Sequence, residues 1–360
     1  MREGHSWRNP KLSRRAFLGA TVGASLVPLA PRLVAADEAV VMTVNGAVSP
    51  SDLGRTLVHE HVVVDFAGAA LDSPERTDAD QVFQTALPHL RRLRDRGVTT
   101  LVECTPRYIG RRPVLLQRLA KASGVRIVTN TGWYAAVDHK FLPAEAARLG
   151  VDEIASRWIS EWRDGIEGTG IRPGFLKLGT GNGPLPPLDA RLLTAAARVH
   201  RETGLTIFVH TGDGEAARDE VRYLQAAGVA PEALVWVHAQ NDPGPIQIEL
   251  ARLGVWISLD GYSAAPVNTL RYPNLVVALR DAGLLNRVLL SHDDGWAVDG
   301  AQPTGNPITP FANGNPAPYE SLFTRLLPDL KARGLSEAEV DQLLVINPRE
   351  ALTVRPRLLA

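Results

Sequence analysis

The chain has 360 residues, 45% of them hydrophobic and 22% charged, enough for an ordinary buried core in one large domain or two small ones. Its 39 Lys plus Arg balance its 39 Asp plus Glu, so no net field steers it to nucleic acid or to an anionic membrane surface. The single cysteine, Cys104, rules out an intrachain disulfide and reads as a core residue of a strand.

Residues 1–36 read as an export signal, outside the fold. Ser13-Arg14-Arg15-Ala16-Phe17-Leu18 has the twin-arginine form, an apolar run of small residues extends from Leu18 to Leu33, and Val34-Ala35-Ala36 offers a cleavage site. Pro28 and Pro31 break the run, which is too short for a permanent membrane span. The expectation is twin-arginine export of an already folded protein, residues 37–360, to the periplasm or beyond the cell.

Val40–Val48 reads as a short β-hairpin turning at Asn45-Gly46. Eight apolar strands follow: Leu57–Val64, Thr99–Glu103, Arg126–Asn130, Gly174–Leu178, Thr206–Val209, Leu234–Val237, Val255–Leu259 and Arg287–Leu290. Helical periodicity lies between them, over Val82–Arg96, Val151–Arg163, Asp189–Thr203, Glu215–Ala227 and Asn274–Ala282. Gly97, Gly124, Gly204, Gly228, Gly254 and Gly283 sit where helix ends favour glycine. Strand–helix alternation over this length predicts an α/β (β/α)8 TIM barrel with a short N-terminal hairpin, one domain, and chemistry at the C-terminal ends of the strands.

His59 and His61 lie two apart in the first strand, so both imidazoles share a face. They are either half of a divalent metal site or a hydrogen-bonded core pair. The later strand ends favour the metal site: Lys177, His210, His238 and Asp293 fall at the same rim. An ammonium has no lone pair for a metal. Lys177 therefore either pairs with Asp293 or carries carbon dioxide as a carbamate (N6-carboxylysine), an anion able to bridge two ions. Imidazole and carboxylate donors suit two divalent metal ions, Zn2+ first, with Co2+, Mn2+ or Fe2+ as alternatives.

These residues resemble the phosphotriesterase family of the amidohydrolase superfamily. The likeness is carried by the His59-Glu60-His61 triplet, Lys177 in FLKLG, His210 in FVHTG, His238 in WVHA and Asp293 in SHD, with GRTLVHEH, TPRYIGR, NTGWY and INPRE around them. It implies that His59, His61 and Asp293 hold one metal, that His210 and His238 hold the other, and that carboxylated Lys177 and a hydroxide bridge them. It further implies a hydrolase whose hydroxide attacks an ester-type bond, lactone or carboxyl ester first and phosphotriester second, with Asp293 as general base. The substrate is a small molecule, and homodimers are common in the family. The competing reading is an exported metal- or ligand-binding barrel without turnover. Asn241 stands where phosphotriesterases carry an acidic residue, and Gly261 follows Asp260 where they carry histidine, which leaves the proton relay beyond Asp293 open.

Tyr134, Tyr262 and Trp296 are candidates to line the substrate pocket, and His139 is a weaker one. His292 alternates with Asp293 and is expected to face the helices. His89 and His200 fall on helices and are expected to be solvated. Residues 294–318, rich in Gly, Pro and Asn, are expected to form a long loop covering the metals. The glycines of TGNGP and GDG make no dinucleotide fingerprint.

Overall fold

A computed structural model of the protein describes residues 39–242, 245–263, 265–311, 315 and 317–360. The expected export signal lies outside the described residues. No helix among them is long and apolar enough to cross a membrane.

The N-terminal hairpin pairs β1 (Val41–Thr43) with β2 (Gly46–Val48), and Thr43 faces Gly46. The turn is therefore Val44-Asn45, one residue earlier than expected, and Gly46 opens the second strand at φ +111°. The barrel strands follow as β3 (Arg55–Glu60), β4 (Val98–Glu103), β5 (Arg126–Val128), β6 (Asn130–Thr131), β7 (Phe175–Gly179), β8 (Ile207–His210), β9 (Leu234–Val237), β10 (Trp256–Leu259) and β11 (Val288–Leu290). β5 and β6 are one strand interrupted at Thr129, so the eight expected positions are all filled. Pairing is parallel from β3 to β5 and again from β6 to β11. The ring closes where Asp293 N donates to the His59 carbonyl (3.1 Å) and His61 N to the Asp294 carbonyl (2.8 Å). This is a TIM barrel.

Helices α1 (Ala79–Asp95), α2 (Pro113–Ser123), α3 (Val151–Asp164), α4 (Pro187–Thr203), α5 (Gly214–Ala226), α6 (Ile246–Leu253) and α7 (Pro266–Asp281) connect the strands. All six glycines singled out at helix ends take positive φ, the conformation that costs a side chain most. α7 starts two turns earlier than its periodicity suggested. Pro266 initiates it, and Pro273 is carried inside rather than ending it.

Two apolar layers result. Leu57, Leu101, Ile127, Leu176, Ile207 and Leu290 pack outward against helix residues such as Leu90, Leu116 and Leu193. Val58, Val102, Val128, Phe175, Phe208, Val235 and Leu289 fill the barrel, joined by Val41 of the hairpin and Leu352. The lumen is thus solid below and leaves room for chemistry only at the opposite rim.

Residues 294–318 are not a structureless loop. β12 (Gly295–Val298) and β13 (Ile308–Phe311) pair antiparallel, and Val64 N donates to the Trp296 carbonyl. No local sequence signal marks it, because its other neighbour, Val64, is distant in the chain. Gly295 permits the approach, since a Cβ there would lie 2.1 Å from the His61 carbonyl oxygen. Residues 312–314 and 316 of the expected cover lie outside the described residues.

Candidate metal centre

β3 carries one residue more than β4 between the pairs Leu57–Leu101 and Glu60–Glu103. This bulge breaks the alternation. Val58 joins the lumen cluster while the next residue, His59, lines the cavity above it. His61 follows on the same side, and Glu60 between them turns outward. Lys177 lies within β7, opposite Phe208, and His210 ends β8 opposite Gly179. His238 and Asp293 leave their strands with left-handed backbones, φ +63° and +60°. Such strain in a non-glycine residue is typical of functional sites.

These side chains meet in one cavity of about 170 Å3. His61 Nε2 is 2.9 Å and His59 Nε2 3.4 Å from Asp293 Oδ1, and His238 Nε2 is 4.0 Å from Asp293 Oδ2. The His210 and His238 rings are 4.6 Å apart, those of His59 and His238 5.1 Å.

The opposite ring nitrogens are already committed. Asp260 Oδ2 takes His59 Nδ1 at 3.0 Å and Asp260 Oδ1 takes His238 Nδ1 at 2.8 Å. Thr105 Oγ1 lies 2.8 Å from His61 Nδ1 and donates its own proton to Glu103. Each Nδ1 therefore carries a proton, and in the neutral ring each Nε2 has a lone pair to offer the cavity.

Charge follows the same logic. Burial, then the nearby Lys177, lowers His59 to about 4. Burial lowers His210 well below its ordinary range, with His238 and Lys177 adding to it. Burial also opposes charge on His238, but the Asp260 carboxylate outweighs it and raises that imidazole. Burial would raise Asp260 and Asp293 too, yet the facing histidines hold both far below the carboxylate range.

Lys177 is the exception. It is 2% exposed, and its Nζ is buried without a hydrogen-bond partner. The ion pair with Asp293 weighed from the sequence is not formed. A bare ammonium among imidazoles is costly. Imidazole nitrogens converging on a carboxylate beside a buried, unpartnered amine form a donor set that divalent metals fit.

Of the three aromatic pocket candidates, Tyr134 lines the cavity, 4.9 Å from the His210 ring. Tyr262 and Trp296 do not. Both are buried, Tyr262 against Tyr272 and Trp296 against Tyr319 and His89. Tyr272 of α7 covers Tyr262, while Trp296, itself in β12, packs against His89 of α1 and Tyr319, so being just past a strand end does not bring either to the cavity wall. Phe66, Val64, Cys104, Pro106 and Ile109 complete the wall with Tyr134. Burial holds the Cys104 thiol well above its usual range, so it is no thiolate. His139 bonds Asp189 at 2.7 Å, outside this cavity. His200 is not solvated: it is buried, with Nδ1 on the Leu205 carbonyl and Nε2 accepting from Arg357 N, because the C-terminal segment folds over α4. His89 is half-buried.

Asp260, which holds His59 and His238, is a site residue that the sequence does not single out. The strand-end rule that found His238 also points to it, two residues after Ser258 at the end of β10, but a residue that binds only other ligands leaves no spacing signal.

Residues 39–352 match the phosphotriesterase family. The chain belongs to that family. It is 30% identical to the phosphotriesterase homology protein of Escherichia coli K12 across 82% of this chain and 97% of that protein. A solved structure described under the engineering of organophosphate hydrolysis activity from a weak promiscuous lactonase template superposes with a TM-score of 0.76, at 31% identity over 87% of this chain and 99% of the other. The N-acetyltaurine hydrolase of Danio rerio is 26% identical, over 88% of this chain and 98% of that protein. These phosphotriesterase-family relatives mark the protein as a metal-dependent hydrolase of small molecules.

Proposed function

We propose that this phosphotriesterase-family hydrolase cleaves ester-type bonds, lactones or carboxyl esters first and phosphotriesters second, with two divalent ions in the cavity. The observation that carries the reading is the buried Lys177 amine without a partner, facing four histidines and Asp293. In this reading His59, His61 and Asp293 would hold one ion and His210 and His238 the other, and Lys177, once carboxylated by carbon dioxide, would supply an anionic ligand between them. Zn2+ is the first choice for imidazole and carboxylate donors. When bound, two such ions would lower the pKa of water toward neutrality and would provide Lewis acidity for the scissile group.

The chain's own residues do the rest. Asp293, aimed into the cavity beside His59 and His61, would accept the proton released during hydrolysis. Asp260 holds His59 and His238 with Nε2 inward. Tyr134, Phe66, Ile109 and Val64 form an apolar wall that excludes water and receives the organic part of the substrate.

That wall bears on substrate choice. Among the described residues lining the cavity, Lys177 is the one cationic type, and carboxylation would make it an anion. A substrate with a sulfonate, such as N-acetyltaurine, would meet no arginine or second lysine among the described residues of this wall, and only the ions themselves could answer its charge. Lactones, carboxyl esters and phosphotriesters are neutral and suit the wall. The family relation to an amide hydrolase keeps amides as the second reading.

The test is hydrolysis by metal-loaded protein of a lactone, a carboxyl ester, a phosphotriester and an amide, with metal content measured alongside. Lactone or ester turnover above the amide supports the proposal. Full metal loading without hydrolysis of any would favour a binding protein. Export through the twin-arginine machinery to the periplasm, and a homodimer, are part of the same proposal; cell fractionation and light scattering test them.

A further inference from the structure

The middle residue of the His59-Glu60-His61 triplet has no place in the cavity. The β3 bulge sends its side chain outward, where it is wholly buried. There it gathers donors from the segment that carries Asp293. Glu60 Oε1 accepts from Ser291 Oγ (2.7 Å), His292 N (3.0 Å) and His292 Nδ1 (2.7 Å), and Oε2 accepts from Asp294 N (2.9 Å).

The His292 tautomer follows from the same network. Leu322 N donates to His292 Nε2 at 2.9 Å, so that nitrogen is the acceptor and Nδ1 carries the proton toward Glu60. Ser291 Oγ in turn accepts from His59 N at 3.0 Å. One carboxylate therefore holds the backbone on both sides of Asp293, whose own φ is +60°. A left-handed conformation at a non-glycine residue persists only when its surroundings impose it.

We infer that Glu60 is a positioning residue for the metal centre: by binding the amides of His292 and Asp294 it fixes the left-handed turn that aims the Asp293 carboxylate at His59 and His61. The inference rests on the metal reading above. A glutamine at 60 keeps the shape but turns one acceptor into a donor, set against an N–H or O–H of the same segment. The Asp293 turn then loses one side of its support.

The experiment uses Co2+ titrated into the metal-stripped full-length protein, read by visible d–d absorption and by metal content. The wild type is expected to take up two Co2+ per chain. Glu60→Gln, folded by circular dichroism, is expected to bind Co2+ about 10–100-fold more weakly at one site and to show a shifted spectrum. A purely structural role would lower the melting temperature and leave affinity and spectrum of the folded protein unchanged, which overturns the inference. If Glu60→Gln does not fold, Ser291→Ala, which removes one of the four donors, is read in the same way: a shifted spectrum supports the inference and an unchanged one overturns it. A wild type that takes up no Co2+ would instead overturn the metal reading itself.

Discussion

Asp260 Oδ1 accepts twice from His238, from its backbone N–H at 3.1 Å and from its Nδ1 at 2.8 Å. Its other oxygen receives His59 Nδ1 and the Ser258 hydroxyl. One buried carboxylate thus orients two imidazoles on separate strands. Asp260→Asn must offer its amide N–H to a ring that also donates. Metal affinity should fall about 10–100-fold, measured by titration against a chelator. Unchanged affinity would show that the barrel alone orients these rings.

In the proposed mechanism Asp293 takes the proton, and the asparagine variant would remove that capacity while keeping a side-chain oxygen. Turnover of Asp293→Asn should fall by about 10²–10⁴-fold on the best substrate of the panel. Near-normal turnover would remove it as the base.

Glu220 on α5 ties together, from outside, the two strands that carry Lys177 and His210. Its carboxylate accepts from Thr180, after β7, and from Thr211, after β8. Burial raises it to about 8 from the ordinary 4.5. Between these values the folded state holds a proton that the unfolded chain has lost. This group's contribution to stability is therefore intact below pH 4.5 and declines toward pH 8, at most about 1.4 kcal/mol per pH unit. Glu220→Gln is neutral at every pH. Its melting temperature relative to wild type should rise from pH 5 to pH 8; a constant difference would contradict the assignment.

Arg76 and Asp65, each 3% exposed, form a buried ion pair. The same guanidinium donates to the Gln302 and Gly300 carbonyls, joining the exit of β3 to the β12–β13 hairpin. Arg76→Met leaves Asp65 charged and buried, and should cost about 3–5 kcal/mol in urea unfolding. Adding Asp65→Asn should return part of that loss.

Much of the barrel was legible because it is written in local periodicity. Apolar strands, amphipathic helices and terminal glycines repeat in order, and reading the polar residue at each strand end brought His59, His61, Lys177, His210, His238 and Asp293 to one cavity. What stayed hidden depends on contacts distant in the chain. The β12–β13 hairpin needs residues 61–64 as a neighbour. The burial of His200, Tyr262 and Trp296 is set by segments that fold over them. Asp260 and Glu60 act on other side chains, and the bulge that turns Glu60 outward appears only when β3 is laid against β4.

The measurement that bears most directly on the metal centre is the metal stoichiometry of protein reconstituted in bicarbonate buffer, wild type beside Lys177→Met. The wild type should hold two divalent ions per chain, with a carbamate carbon resonance when the bicarbonate is ¹³C-labelled, and the variant should lose both the resonance and the paired occupancy. Two ions bound equally well by Lys177→Met, or a wild type that binds fewer than two, would contradict it.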